Sequence, residues 1–227
     1  MILGITGDTH GELNFTKVYK ARKLGCTHLI VCGDFGYVWT GSDREQRQLN
    51  YLDKIGVEIL FVAGNHENYN LLETYPIEDR YNGKVRKIRD NIYQLMNGEI
   101  YTINNKTFFV MGGANSTDKE YRIENKTWWK QEVPSDDTIR KGMIALNECN
   151  NKVDYILTHT CYPEALSWVG GEYRADDYSK KLEYFKEFVD FDYWYFGHMH
   201  IDYNILCLNT RCLYNDIVEV KYCKRNL

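Results

Sequence analysis

Much of what marks the common protein classes is missing from this chain. Seven cysteines are scattered through 227 residues and no two are spaced C-x-x-C, which argues against a structural zinc ribbon. No window approaches the roughly 20 apolar residues that a membrane-spanning helix needs, so no membrane partner is expected. The opening Met1-Ile2-Leu3-Gly4-Ile5-Thr6-Gly7-Asp8 has no basic stretch ahead of a long apolar one and does not read as a signal peptide. With the unpaired thiols, this reads as a soluble protein of a reducing compartment, the cytoplasm. Basic charge is not in surplus: 28 Lys and Arg stand against 32 Asp and Glu, a net −4. A stable nucleic-acid partner, which would call for a basic footprint, is therefore not expected. A small phosphorylated substrate, held locally by metal and arginine, stays open. Nor is there an internal repeat, a low-complexity segment or a Pro/Gly-rich linker. Residues 1–227 read as one domain, long enough to bury a full core.

What the chain does contain is a rhythm of short apolar runs. Residues 2–6, 28–32 and 57–62 read as buried strands. Helical patterns lie over 12–24, stopped by Gly25, and over 42–55, where Ser42 and Glu45 are placed for a capping box. Three strand–helix units in under seventy residues imply an α/β domain with parallel strands at its centre. Next, 84–88, 92–96, 99–103 and 107–111 read as short strands of an antiparallel meander, with turn signals at Asn97-Gly98 and Asn104-Asn105. Residues 112–134 have little period and read as a long functional loop. A helix over 135–150 capped by Ser135, a strand over 153–157, a helix over 175–189 and a strand over 191–196 follow. Short strands over 203–208, 211–214 and 217–222 close the chain.

Chemistry collects where the apolar runs stop. Asp8 and His10, Asp34, Asn65 and His66, His159, and His198 and His200 all stand at strand exits, and these include five of the six histidines. Only His28 falls inside or just before a strand, where a hydrogen-bonded structural histidine is the default. In open α/β sheets ligands sit at the carboxyl ends of strands, so all five exits can converge on one crevice. Aspartate, amide oxygen and imidazole form a donor set for manganese, iron or zinc rather than copper or calcium. Eight donors are too many for one tetrahedral ion; they match two ions about 3.5–4 Å apart, the arrangement used for in-line attack on phosphorus. Each piece alone has a bland reading: Asp8 as a helix cap, Gly33-Asp34 as a turn, His198 and His200 as a surface pair. The ordered series does not.

The series Asp8-x-His10-Gly11, Gly33-Asp34, Gly64-Asn65-His66-Glu67, His159 and Gly197-His198-x-His200 resembles the calcineurin-like metallophosphoesterases. The likeness runs from Gly7 to His200. It implies a four-layer αββα sandwich of two mixed β-sheets flanked by helices, with a dinuclear metal site at one end. By the resemblance, Asp8, His10 and His200 hold one ion, Asn65, His159 and His198 hold the other, and Asp34 bridges. A hydroxide between the ions attacks phosphorus, and His66 acts as general acid or transition-state donor. Two divalent ions are implied, manganese first, with iron or zinc as alternatives. The loop Gly112-Gly113-Ala114-Asn115-Ser116-x-Asp118-Lys119, with Arg122 and Trp128-Trp129, also resembles small bacterial and phage members of this superfamily.

One departure from the pattern bears on mechanism. The protein-phosphatase branch continues its second motif as Gly-Asp-x-x-Asp-Arg, whereas this chain has Tyr37 and Val38 there. Another residue must then orient His66, and another cation must take phosphate; Arg122, Arg80 and Arg44 are candidates, since bidentate chemistry favours arginine. Glu67 reads as the opening of the next helix rather than as support for His66. Trp128-Trp129 reads either as packing over a sheet edge or as a lid or base-stacking wall, and Cys161 as a buried structural thiol. The expected activity is phosphomonoester hydrolysis of a small molecule or phosphoprotein. The alternatives are a phosphodiesterase or nuclease, and a catalytically inactive metal-binding scaffold.

Overall fold

A computed structural model describes residues 1–170 and 175–220. In chain order the elements are β1 (Leu3–Thr6), α1 (Thr16–Lys23), β2 (His28–Cys32), α2 (Asp43–Leu52), β3 (Glu58–Val62), α3 (Tyr69–Leu72), β4 (Ile77–Arg80), β5 (Gly83–Arg89), β6 (Ile92–Leu95), β7 (Ile100–Ile103) and β8 (Lys106–Met111). After a long loop come α4 (Asp136–Glu148), β9 (Lys152–Thr158), α5 (Pro163–Val169), α6 (Asp177–Phe188), β10 (Asp190–Phe196), β11 (Tyr203–Ile205), β12 (Thr210–Cys212) and β13 (Val218–Glu219). Of the strand expected over 217–222, Lys221 and Tyr222 lie outside the described residues, as does Cys223.

Two mixed sheets result. One runs β13-β1-β2-β3-β6-β5-β4 and the other β11-β12-β10-β9-β8-β7. In each, four central strands are parallel and the rims are antiparallel. The central strands are apolar on both faces because both faces are covered. Along β2 and β3, Ile30, Cys32, Leu60 and Val62 point inward to Phe108, Val110, Tyr155 and Leu157 of the second sheet. Their alternates Leu29, Val31, Ile59 and Phe61 point outward to Val18 and Ala21 of α1 and Leu49 and Leu52 of α2. On the far side Phe109, Met111, Ile156 and Trp194 meet Ile139, Ala165, Leu182 and Phe185 of α4, α5 and α6. The four-layer αββα sandwich follows from this period-two alternation, and each such buried side chain contributes about 1.5–3 kcal/mol. Among the described residues, no helix is long and apolar enough to cross a membrane.

The structure corrects the expected meander. β4, β5 and β6 are antiparallel within the first sheet, β7 and β8 within the second, and the Asn97-Gly98 turn carries the chain from one sheet to the other. β6, buried along its whole length, pairs parallel with β3 and so becomes an interior strand. α1 starts four residues late, because Phe15 takes a left-handed conformation and Leu13 is exposed. α3, β4 and α5 were not apparent from the sequence. The caps at Ser42 and Ser135 form, accepting from the backbone N–H of Glu45 and Thr138. The expected capping box does not close, because the Glu45 carboxylate accepts from the N–H of Thr40 and Gly41 while the Ser42 N–H donates to Thr40 Oγ1.

The loop over residues 112–134 carries only two short 3-10 turns, Lys119–Tyr121 and Lys130–Glu132. It is pinned by Trp129, 1% exposed, which packs on Ala63, Tyr69 and Trp39. Packing is therefore the role of Trp129, while Trp128 is half-buried beneath Lys119 Nζ, 5.0 Å from its ring centre. Trp129→Ala is expected to destabilise the fold by about 3–5 kcal/mol in urea denaturation. A lid residue would instead cost activity without costing stability.

Candidate metal centre

Parallel register aligns the strand exits. Thr6 lies beside Val31, and Cys32 beside Val62, in one sheet; Leu157 lies beside Tyr195 in the other. Asp8, His10, Asp34, Asn65 and His66 thus leave the first sheet at the end where His159, His198 and His200 leave the second. The motif glycines make room for the donors. A Cβ on Gly64 would lie 2.1 Å from Asp34 Oδ1, and one on Gly197 would lie 2.2 Å from Asp8 Oδ1. His10, Asp34, His198 and His200 all have positive φ, a strained choice for residues with side chains, of the kind that gathers at functional sites.

Two overlapping donor groups result. Asp8, His10 and His200 lie with their ligand atoms within 4.8 Å of one another, as do Asp8, Asp34 and His159. Nε2 of His10 and Nε2 of His200 face each other at 2.9 Å. Two imidazole nitrogens at that distance must share a proton or a cation. Asp8 Oδ2, buried, has no hydrogen-bond partner among the described residues, yet lies 3.0 Å from His200 Nε2 and 3.7 Å from His10 Nε2. Its other oxygen accepts from the His198 backbone N–H at 3.0 Å. Asp34 Oδ1 accepts from the His66 backbone N–H at 2.7 Å and lies 3.3 Å from His159 Nε2. Asn65 Oδ1 lies 3.0 Å from the same nitrogen. His198 stands edge-on to His159, ring centres 4.9 Å apart. An orphaned carboxylate oxygen amid imidazole lone pairs is what a divalent cation would satisfy, so these residues fit such an ion.

A family model described as calcineurin-like phosphoesterase matches residues 1–202. The chain belongs to this family. Divalent ions are the family's cofactors. No curated protein matches the chain in sequence. Among solved structures, a putative 5'-nucleotidase from Staphylococcus aureus is 14% identical with a TM-score of 0.49; the match covers 94% of this chain and 48% of that one, so the chain spans about half its length. The phosphopantetheinyl hydrolase from Mycobacterium tuberculosis is 16% identical with a TM-score of 0.47, covering 94% and 88%. A further structure, 12% identical over 94% and 90%, has a TM-score of 0.50 and bears on the fold alone.

In this calcineurin-like chain the space above the donors is a cleft of about 320 Å³ lined by Asn65, His66, Asp118, Arg122, His198 and His200 among others. Arg122 Nη2 lies 3.2 Å from His66 Nε2, and the guanidinium is held by Asp118 at 2.8 Å. The other two arginines are elsewhere. Arg80 pairs with Glu58, which opens β3 at the end of the sheet remote from Asn65. Arg44 is exposed on the first turn of α2 and is not among the residues lining the cleft. Tyr37, standing where the other branch has its orienting aspartate, is buried and donates to the Glu12 carbonyl at 2.8 Å. Glu67 does not open a helix: Asn68 caps α3, and Glu67, fully buried, accepts from the N–H of Phe35 at 2.7 Å, bracing the turn after Asp34. Burial, with Asp34 nearby, pushes its carboxyl up to about 8. Cys161 is fully buried and burial pushes its thiol up, as a structural cysteine requires.

Residues outside the donor motifs also prop up the site, and nothing in the sequence pointed to Lys17 or Glu132 among them. Lys17, buried, donates to the Asp8 carbonyl and lies 4.3 Å over the ring of Tyr214, which in turn stacks on His200. Ser116 and Glu132 stand behind Asn65. Ser116 lies in a loop that drew notice; Lys17 and Glu132 sit in no motif.

Electrostatics here tie ion binding to pH. Burial would raise the Asp8 carboxyl, but the imidazoles of His10 and His200 more than offset it and hold it well below the usual range. Burial would lower His159, but Asp34 overrides it and raises the imidazole to about 9. Both ring nitrogens of His159 face acceptors, Nδ1 the Cys32 carbonyl at 2.9 Å and Nε2 the oxygens of Asn65 and Asp34, as an imidazolium demands. His198, by contrast, is lowered to about 4 by burial and by His159, and is neutral. The His159–Asp34 pair stabilises the ion-free protein fully below about pH 6.5, the ordinary histidine value, and that support is lost as pH rises through about 9. An ion at His159 Nε2 must displace a proton. Manganese affinity, measured by titration calorimetry, is therefore expected to climb about tenfold per pH unit from 7 toward 9 and then level. A flat profile would remove His159 from the ligand set.

Proposed function

We propose that the chain, as one domain, is a metal-dependent phosphomonoesterase. Its ions, two in number and manganese by preference, would be held by Asp8, His10, Asp34, Asn65, His159, His198 and His200. The observation that carries the monoester reading is the Arg122–His66 pair, 3.2 Å apart in the cleft that those donors floor. A monoester presents a dianionic phosphate, and a guanidinium fork is the side chain best matched to it. Bound at such a centre, divalent ions supply Lewis-acid chemistry, acidifying water and offsetting charge on phosphoryl oxygens.

The chain's own residues do the rest. Asp118 holds Arg122 over the cleft, where the guanidinium binds and orients the phosphoryl oxygens. His66 is fixed at its backbone by Asp34 and faces the cleft with Nε2. Arg122 can only donate, so Nε2 of the neutral ring accepts from it. Burial, with Arg122 beside it, lowers the ring's affinity for a proton. Once phosphate draws the guanidinium off, Nε2 can take up a proton and pass it to a departing alkoxide or phenoxide. His66 and His198 both lie outside the two tight donor groups, but His198 stands against the ring of His159 whereas His66 turns Nε2 to Arg122, which leaves His66 to serve the leaving oxygen.

With manganese, p-nitrophenyl phosphate should be turned over in preference to bis-p-nitrophenyl phosphate. The reverse preference would make the protein a diesterase, and no turnover of either with ions bound would make it a scaffold. His66→Ala should lower kcat about 10²-fold or more with metal content unchanged. Arg122→Ala should lower kcat/KM for the monoester by about 10²-fold while sparing the diester more.

A further inference from the structure

Asn65 is an amide, and an amide is ambiguous toward a cation: one end attracts it and the other repels it. We infer that Glu132, acting through Ser116, is the positioning residue that decides which end faces the donor cluster. This rests on the reading of Asn65 as an ion ligand.

The chain of hydrogen bonds is closed and buried. Glu132 is 0% exposed, Asn65 4% and Ser116 5%. The Ser116 backbone N–H donates to Glu132 Oε1 at 2.9 Å, and the Ser116 hydroxyl donates to Oε2 at 2.9 Å. A carboxylate can only accept, so the single hydroxyl proton of Ser116 is committed to it. Ser116 Oγ can then only accept from any other neighbour. Asn65 Nδ2 meets it at 3.0 Å, as a donor must, and Oδ1 is thereby turned toward His159 Nε2 at 3.0 Å. Polarity thus passes from a buried carboxylate, through a hydroxyl, to the orientation of an amide. Lys119 Nζ, 2.9 Å from Glu132 Oε1, pairs with the buried carboxylate.

The backbone of the same residue organises the loop. The Glu132 carbonyl accepts from the Ala114 N–H at 3.0 Å, so residue 132 ties both ends of the 112–134 loop together. Arg122 is carried on that loop. Orientation of the Asn65 oxygen and delivery of Arg122 to His66 therefore depend on one anchored segment.

The test is divalent-ion binding to the ion-free full-length protein, by calorimetric titration with manganese, alongside the melting temperature of each ion-free variant. Ser116→Ala releases the amide, and Glu132→Gln, nearly isosteric, can donate to Ser116 and reverse the polarity of the chain. Each is expected to weaken one of two sites by about 10–100-fold and leave the other at its wild-type affinity, with ion-free melting close to wild type. Wild-type affinity at both sites in both variants would overturn the inference. Loss of both sites together with a lowered ion-free melting temperature would assign the pair to folding and overturn it too. If the wild-type protein itself binds no divalent ion, the metal-centre reading falls first and this inference with it. Because the readout is ion affinity, an error about the substrate leaves the test intact.

Discussion

Two aspartates without bulk water are the constraint that the rest of this molecule answers to. Asp8 and Asp34 are each 1% exposed and belong to one donor group with ligand atoms within 4.8 Å. Burying one carboxylate costs several kcal/mol, and a second beside it adds repulsion. The structure meets that cost with imidazoles rather than with lysine or arginine: His10 and His200 at Asp8, His159 at Asp34. Backbone N–H groups of His66 and His198 take one oxygen of each. The other oxygen, Asp8 Oδ2, faces only the imidazoles of His10 and His200 and has no hydrogen-bond partner among the described residues, a setting that a cation would complete.

The sandwich is the device that makes such a cluster possible. Imidazoles from one sheet reach carboxylates from the other only because the two sheets pack face to face and end together. Aromatic and aliphatic side chains between them, Phe108 and Leu157 against Ile30 and Leu60, hold that registration. Glycines at the exits then let backbones approach a carboxylate more closely than any side chain would permit. Positive φ at His10, Asp34, His198 and His200 accompanies this close approach.

Around the cluster lies a ring of supporting residues whose roles run through others. Lys17 and Tyr214 hold the Asp8 loop and His200; Glu67 holds the turn after Asp34; Ser116 and Glu132 hold Asn65. In the proposed function Arg122, on a distant loop, takes the place of the cation that the second motif lacks. The side chain that meets Nε2 of the cleft histidine is a guanidinium. Burial, with the positive charge of Arg122 beside it, outweighs the opposing pull of Asp34 and lowers the affinity of His66 for a proton.

The donors and the class of fold were legible in the sequence for a local reason. A strand buried on both faces must be apolar throughout, so the exit residue where polarity returns stands out, as at Thr6-Gly7-Asp8 or Phe196-Gly197-His198. Cap residues such as Ser42 and Ser135 were legible for the same reason, since their partners lie three positions away. Three-dimensional packing alone decided what those patterns could not carry: that the β6–β7 turn crosses between sheets, that Arg122 and not Arg80 reaches the cleft, that Glu67 turns inward and that Glu132 stands behind Asn65. Each of these depends on contacts between residues far apart in the chain, where charge and size are readable but direction is not. Residue types and their spacing along the strands determined which atoms are available to a cation; the meeting of the two sheets decided which of them face it.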